Sequence, residues 1–119
     1  MSYVDGFVLV VPKKKVAAYK KLAQLAGKVW MEHGALEYRE CMGHDLEGPC
    51  GLPFTKLARA KKNENVVFSW IVYKSKAHRD RVNAKVMKDP RLATMCNPKN
   101  PPFDMKRTSG GGFTPIVEM

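Results

Sequence analysis

The chain has 119 residues, of which 45% are hydrophobic, enough for one domain and too many for a disordered chain. Lysine and arginine number 21 against 11 acids, a formal net charge of +10. A balance this basic invites a nucleic-acid reading, but the cations are spread along two predicted helices. The exposed rings among glycines and basic residues that mark an RNA-binding sheet are missing, so anion or RNA binding stands as the alternative and not the favoured function.

Met1 is followed by Ser2, Tyr3, Val4 and Asp5 with no basic leader, and the apolar run from Phe7 to Val11 is too short for a signal core or a membrane span. A soluble, cytoplasmic protein is therefore expected, with no membrane partner. Cys41, Cys50 and Cys96 are odd in number and lack the close spacing of a zinc knuckle or redox pair, which predicts three reduced thiols.

Tyr3 to Val11 reads as the first strand: β-branched, aromatic and ended by Pro12. Both its faces, Tyr3, Asp5, Phe7, Leu9, Val11 and Val4, Gly6, Val8, Val10, are largely apolar, which predicts cover on both sides. After Pro12 the period becomes helical, with Val16, Tyr19, Ala23, Ala26, Val29 or Trp30, and His33 on one stripe, until Gly34 stops it. The run Leu36 to Met42 then alternates, with Leu36, Tyr38, Glu40 and Met42 opposite Glu37, Arg39 and Cys41.

The glycine- and proline-rich stretch from Gly43 to about Ala60 predicts a loop, with Phe54 to Ala58 as a short strand or a turn of helix. Val66 to Tyr73 is the strongest strand signal, apolar on both faces apart from Ser69. Ser75 suits the N-cap of a second long helix, whose inner side carries Ala77, His78, Val82, Val86 and Met87, and whose Lys76 and Asp80 can pair outside. Asp89-Pro90 ends it. Pro98, Pro101 and Pro102 break the following stretch, and Phe113 to Val117 is predicted as a short final strand interrupted by Pro115.

The order is β-α-β-β-α-β, the ferredoxin-like split βαβ arrangement: an antiparallel α+β sheet with two helices on one face, all within one domain spanning residues 1–119. Helices cover one sheet face only, yet the first and third strands are apolar on two. Burying each large side chain contributes ~1.5–3 kcal/mol, so a second copy of the sheet is the simplest cover. A homodimer, paired sheet to sheet as a dimeric α/β barrel, is expected.

The segment Val67 to Met87, with Tyr3-Val4-Asp5-Gly6-Phe7, His33 to Tyr38, Gly111-Gly112-Phe113 and Pro115 to Glu118, resembles the YbaA-like family of bacterial proteins of unknown function. The resemblance covers nearly the whole chain and departs over residues 43–57 and 97–110. It implies the dimeric α/β barrel superfamily and implies no activity.

A candidate pocket follows from the inner helix faces. His33 and His78 extend the two apolar stripes, with Glu37, Arg39 and Trp70 on strands between them. An apolar pocket with a few convergent polar groups is the usual form of a small-molecule site, and histidine can act there as acid or base. The expected function is to bind or transform a small molecule between helices and sheet, and a non-catalytic structural or regulatory dimer fits the same pattern. Whether the protein is an enzyme is left open by these residues. No cofactor is expected, and no metal, because His33, His44 and His78 lack ligand spacing. Gly110 to Gly112 precede a strand and not a helix, which argues against a phosphate cradle.

Overall fold

The computed structural model describes residues 2–48, 50–96 and 101–119. Four strands, β1 (Tyr3–Pro12), β2 (Glu37–Met42), β3 (Glu64–Tyr73) and β4 (Ser109–Phe113), form one antiparallel sheet in the order β2-β3-β1-β4. Two long helices, α1 (Val16–Glu32) and α3 (Lys76–Met87), lie on one face, and two short ones, α2 (Phe54–Leu57) and α4 (Arg91–Cys96), complete the chain. This is the expected ferredoxin-like α+β architecture.

The register states which strand face meets the helices. Tyr3 pairs with Tyr73, Asp5 with Ile71, Phe7 with Ser69 and Leu9 with Val67. Ile71 and Tyr73 pack with Val29 of α1 and Val82 and Val86 of α3, and Leu9, Val11 and Val67 pack with Tyr19. Strand residues alternate faces, so Val4, Gly6, Val8, Val10 and Val66, Phe68, Trp70, Val72 point the other way. Of the residues expected on the inner side of α3, Val82 and Val86 are buried, whereas Ala77 and Met87 are exposed.

Local signals account for the element ends. The Ser75 hydroxyl accepts from the His78 backbone N–H at 3.1 Å and caps α3, and Lys76 pairs with Asp80 at 3.0 Å. Asp89-Pro90 both closes α3 and opens α4: the Asp89 carboxylate accepts from the Arg91 N–H at 2.9 Å, with Pro90 at the first-turn position that needs no N–H. Read only as a stop, this pair conceals α4. Pro98 and the side chain of Cys96 lie outside the described residues.

The last strand corrects the sequence expectation. It spans Ser109–Phe113 and not Phe113 to Val117. Glycine weakens a strand in isolation, but here the rings of β1 occupy the space where side chains would stand. A Cβ on Gly110 would lie 2.7 Å from Phe7 Cδ1, and one on Gly112 would lie 2.7 Å from Tyr3 Cζ. The glycine run pairs with β1 because those aromatic side chains supply its missing bulk.

On the face away from the helices, residues 43–48 and 50–60 lie over one end of the sheet. Ala58 packs with Val10 and Val66, joined by Val8, Leu46 and Ala60, and the Phe54 ring stands 6.2 Å from that of Phe68. The rest of that face stays open: Val4, Gly6, Val8, Phe68, Trp70 and Phe113 line a shallow apolar depression of about 700 Å3. Phe68 is 46% and Phe113 61% exposed.

Candidate functional site

The five sequence candidates do not converge. Arg39 pairs with Trp70 across β2 and β3, and Glu37 lies two residues from Arg39, so all three occupy the open sheet face, opposite the helices. There the Trp70 indole donates to Glu37 Oε2 at 2.5 Å, and the Arg39 guanidinium lies 5.9 Å from the Trp70 ring centroid. The correction has a simple cause. Both faces of β3 are apolar, so periodicity does not tell which face the helices cover.

The two histidines remain on the helix side, but each is engaged in holding a joint. His33 follows α1, and its Nε2 lies 2.8 Å from Asp89 Oδ2. Asp89 also accepts three bonds from Arg91, through its backbone N–H, Nε and Nη2, and these bonds hold its carboxyl far below the usual range. His78 Nδ1 accepts from the Lys74 backbone N–H at 2.9 Å, and its ring meets that of Tyr73 edge-on at 6.0 Å. Burial first, then the Lys74 and Arg81 charges, push the His78 pKa down.

A cavity that the five residues do not line opens between α1 and β2, with a volume of about 530 Å3. Val16, Ala23, Met31, Met42 and Val67 form its apolar walls, and Lys20, Gln24 and Lys28 also border it. Gly27 is required here: a Cβ would lie 2.9 Å from Tyr38 Cδ1, so its absence lets the Tyr38 ring sit against α1. The polar floor is Glu40. Tyr19 and Tyr38 donate their hydroxyls to its two carboxylate oxygens, each at 2.5 Å. Burial first, and then Glu40 through its hydrogen bonds and its charge, push both phenol pKa values well above the ordinary tyrosine range. Both tyrosines therefore stay protonated, and the three side chains form a fixed O–H···carboxylate···H–O clamp.

The chemistry of that floor is one-sided. Both hydroxyl protons are committed to Glu40, so what remains for a guest is acceptor capacity on the carboxylate and phenol oxygens. The signal for this site was present in the sequence: Glu40 stands between Tyr38 and Met42 on one strand face, and Tyr19 on the inner stripe of the first helix. Their shared side of the sheet becomes visible only in the assembled register.

Among the described residues, no cluster of three or more histidine, cysteine or acidic side chains has metal-binding geometry. Cys41 and Cys50 are free thiols. No helix among the described residues is long and apolar enough to cross a membrane.

Strand order, helix placement and the half-covered sheet together define a ferredoxin-like α+β fold. Known structures agree on the fold. An uncharacterized NIPSNAP domain protein from Burkholderia xenovorans superposes with a TM-score of 0.60 at 16% identity, over 97% of this chain and 95% of that one. SnoaB, a cofactor-independent oxygenase from Streptomyces nogalater, superposes with a TM-score of 0.57 at 11% identity, over 99% and 96%. The chain belongs to the family described as a protein of unknown function (DUF1428), whose profile matches residues 2–105. The Escherichia coli member, "Uncharacterized protein YbaA", is 43% identical over 118 residues, covering 99% of both chains.

Proposed function

We propose that the protein is a homodimer closed sheet to sheet, each protomer holding a small apolar, hydroxyl-bearing molecule between α1 and β2. The observation that carries the ligand reading is the Tyr19–Glu40–Tyr38 clamp at the floor of a cavity whose walls are mostly apolar. Its volume of about 530 Å3 falls in the range of small-molecule sites. A carboxylate with spare lone pairs, flanked by phenol oxygens with spare lone pairs, selects a guest that donates a hydrogen bond. The surrounding Met31, Met42 and Val67 select one whose remainder is apolar.

The dimer is supported by the open face of the sheet. Leu46, Ala58 and Ala60 cover the end near Val10 and Val66, and Val4, Val8, Phe68, Trp70 and Phe113 line an apolar surface beside it. In this arrangement Glu37, Arg39 and Trp70 belong to the contact between protomers, with the Trp70–Glu37 bond fixing the indole.

The test compares 2-naphthol with its methyl ether, 2-methoxynaphthalene, by isothermal titration. A hydrogen bond to a charged acceptor contributes ~1.5–3 kcal/mol, so the naphthol is expected to bind roughly 10- to 150-fold more tightly than the ether. Ala23→Trp, which fills the cavity from α1, is expected to abolish binding. Equal affinity for the two compounds, or naphthol binding unchanged in the Trp variant, refutes the reading.

A further inference from the structure

A second hollow, of about 290 Å3, lies elsewhere on the helix side, between β1, β3, α1 and α3. Asp5, Phe7, Trp30, Ile71, Arg79 and Asn83 bound it, and its polar groups form one network. Arg79 donates through Nη1 to Asp5 Oδ1 at 2.7 Å and through Nε to Asp80 Oδ1 at 2.8 Å, with its guanidinium 5.0 Å from the Tyr3 ring centroid. Trp30 Nε1 donates to Asn83 Oδ1 at 3.0 Å, and the Tyr73 hydroxyl approaches the same oxygen at 3.4 Å.

That last pair fixes the orientation of the amide. An indole N–H can only donate, so the atom it meets must be the Asn83 oxygen, and the Asn83 NH2 group is turned away from it. Among the described residues this NH2 has no partner, and neither does Arg79 Nη2. No fully buried side-chain polar atom among the described residues lacks a partner, so the free donors are open to solvent or to the hollow they border. Asp5 is 5% exposed, in the middle of an apolar strand. Its burial outweighs the attraction of Arg79 and raises its pKa.

We infer that this hollow is a second binding site, for a small planar molecule with a neutral carbonyl group, whose oxygen is taken by Asn83 Nδ2 and Arg79 Nη2. Trp30, Phe7 and Ile71 supply flat and apolar walls for the rest of the guest. Charge decides between a carbonyl and a carboxylate. Arg79 already faces Asp5 and Asp80, and Lys76 is matched to Asp80, so the cluster has no net positive charge left for an anion. A neutral acceptor that takes a hydrogen bond from each of the two free donors needs none. The site is independent of the Glu40 cavity, whose floor offers acceptors where this one offers donors.

The experiment is a 15N-resolved NMR titration of the protein with acetophenone, and with benzoate as the anionic counterpart. Acetophenone at millimolar concentration is expected to shift the Asn83 side-chain NH2 and the Trp30 indole N–H resonances saturably, and benzoate at least severalfold more weakly. Asn83→Asp keeps an acceptor for Trp30 and Tyr73 but puts a charged acceptor oxygen in place of the free donor, and is expected to weaken acetophenone binding at least about tenfold. Asn83→Leu serves as a second variant if the acidic one alters the network. Unmoved Asn83 and Trp30 resonances in the wild-type protein overturn the inference without any variant. Equal binding of benzoate, or undiminished acetophenone binding in a folded Asn83→Asp protein, does so too.

Discussion

Truncating Phe68 should separate the protomers before it unfolds them. Phe68 stands on β3 at the centre of the open face and keeps 46% of its surface exposed in the isolated protomer. Full burial of a phenylalanine contributes up to ~3 kcal/mol, so the half still exposed contributes about 1–1.5 kcal/mol when a second sheet covers it. Two-fold pairing places two copies in the contact, so Phe68→Ala should cost about 2–3 kcal/mol of dimer stability. That weakens the dimer dissociation constant roughly 30- to 150-fold. Sedimentation velocity over a dilution series reads this directly. Within the chain the ring meets Phe54 at 6.2 Å and Trp70 at 5.5 Å and is already about half buried, so the substitution should also lower the stability of the single chain by about 1–1.5 kcal/mol while circular dichroism still shows a folded protein. A wild-type protein that stays monomeric at tens of micromolar, or a dimer equally tight with alanine at this position, would refute the argument that the open face is an interface.

Two further outcomes concern stability. Hydrogen bonds from Arg107 first, then from the Lys61 backbone N–H, hold the Glu64 carboxyl at about 2, below its ordinary 4.5. A depressed folded-state pKa stabilises the fold above 4.5 and ceases to do so as the pH falls toward 2. Glu64→Gln should therefore lower the urea midpoint at pH 7, and the gap to wild type should close in acid; a gap of the same size at both pH values sinks this account. Gly110→Ala should destabilise by about 1–3 kcal/mol, because its new methyl meets the Phe7 ring at 2.7 Å. Gly48→Ala, with nothing within 4 Å, is the matched control in thermal melts and should differ little from wild type.

Local chemistry determined a good part of this protein from the sequence alone. Element order, the Ser75 cap, the Lys76–Asp80 pair and the two-faced apolar character of β1 and β3 all rest on neighbours within a few residues or on a simple period. The final strand is not legible in the sequence, because its glycines pair only when the rings of Tyr3 and Phe7, more than a hundred residues earlier, lie over them. The site depended still more on the assembled sheet. Periodicity sorts strand residues into two sets but does not say which set the helices will cover, so it does not separate Glu37, Arg39 and Trp70 from the histidines, although they face the opposite way. Only the β1–β3 register and the packing of Val29, Val82 and Val86 decided that question. The same register carried Tyr19, Tyr38 and Glu40 to one side, where burial keeps the tyrosines protonated and makes them a clamp. A pattern in the chain names the candidates for a face; long-range packing chooses the face, because each strand's two sides are equivalent until something lies against one of them.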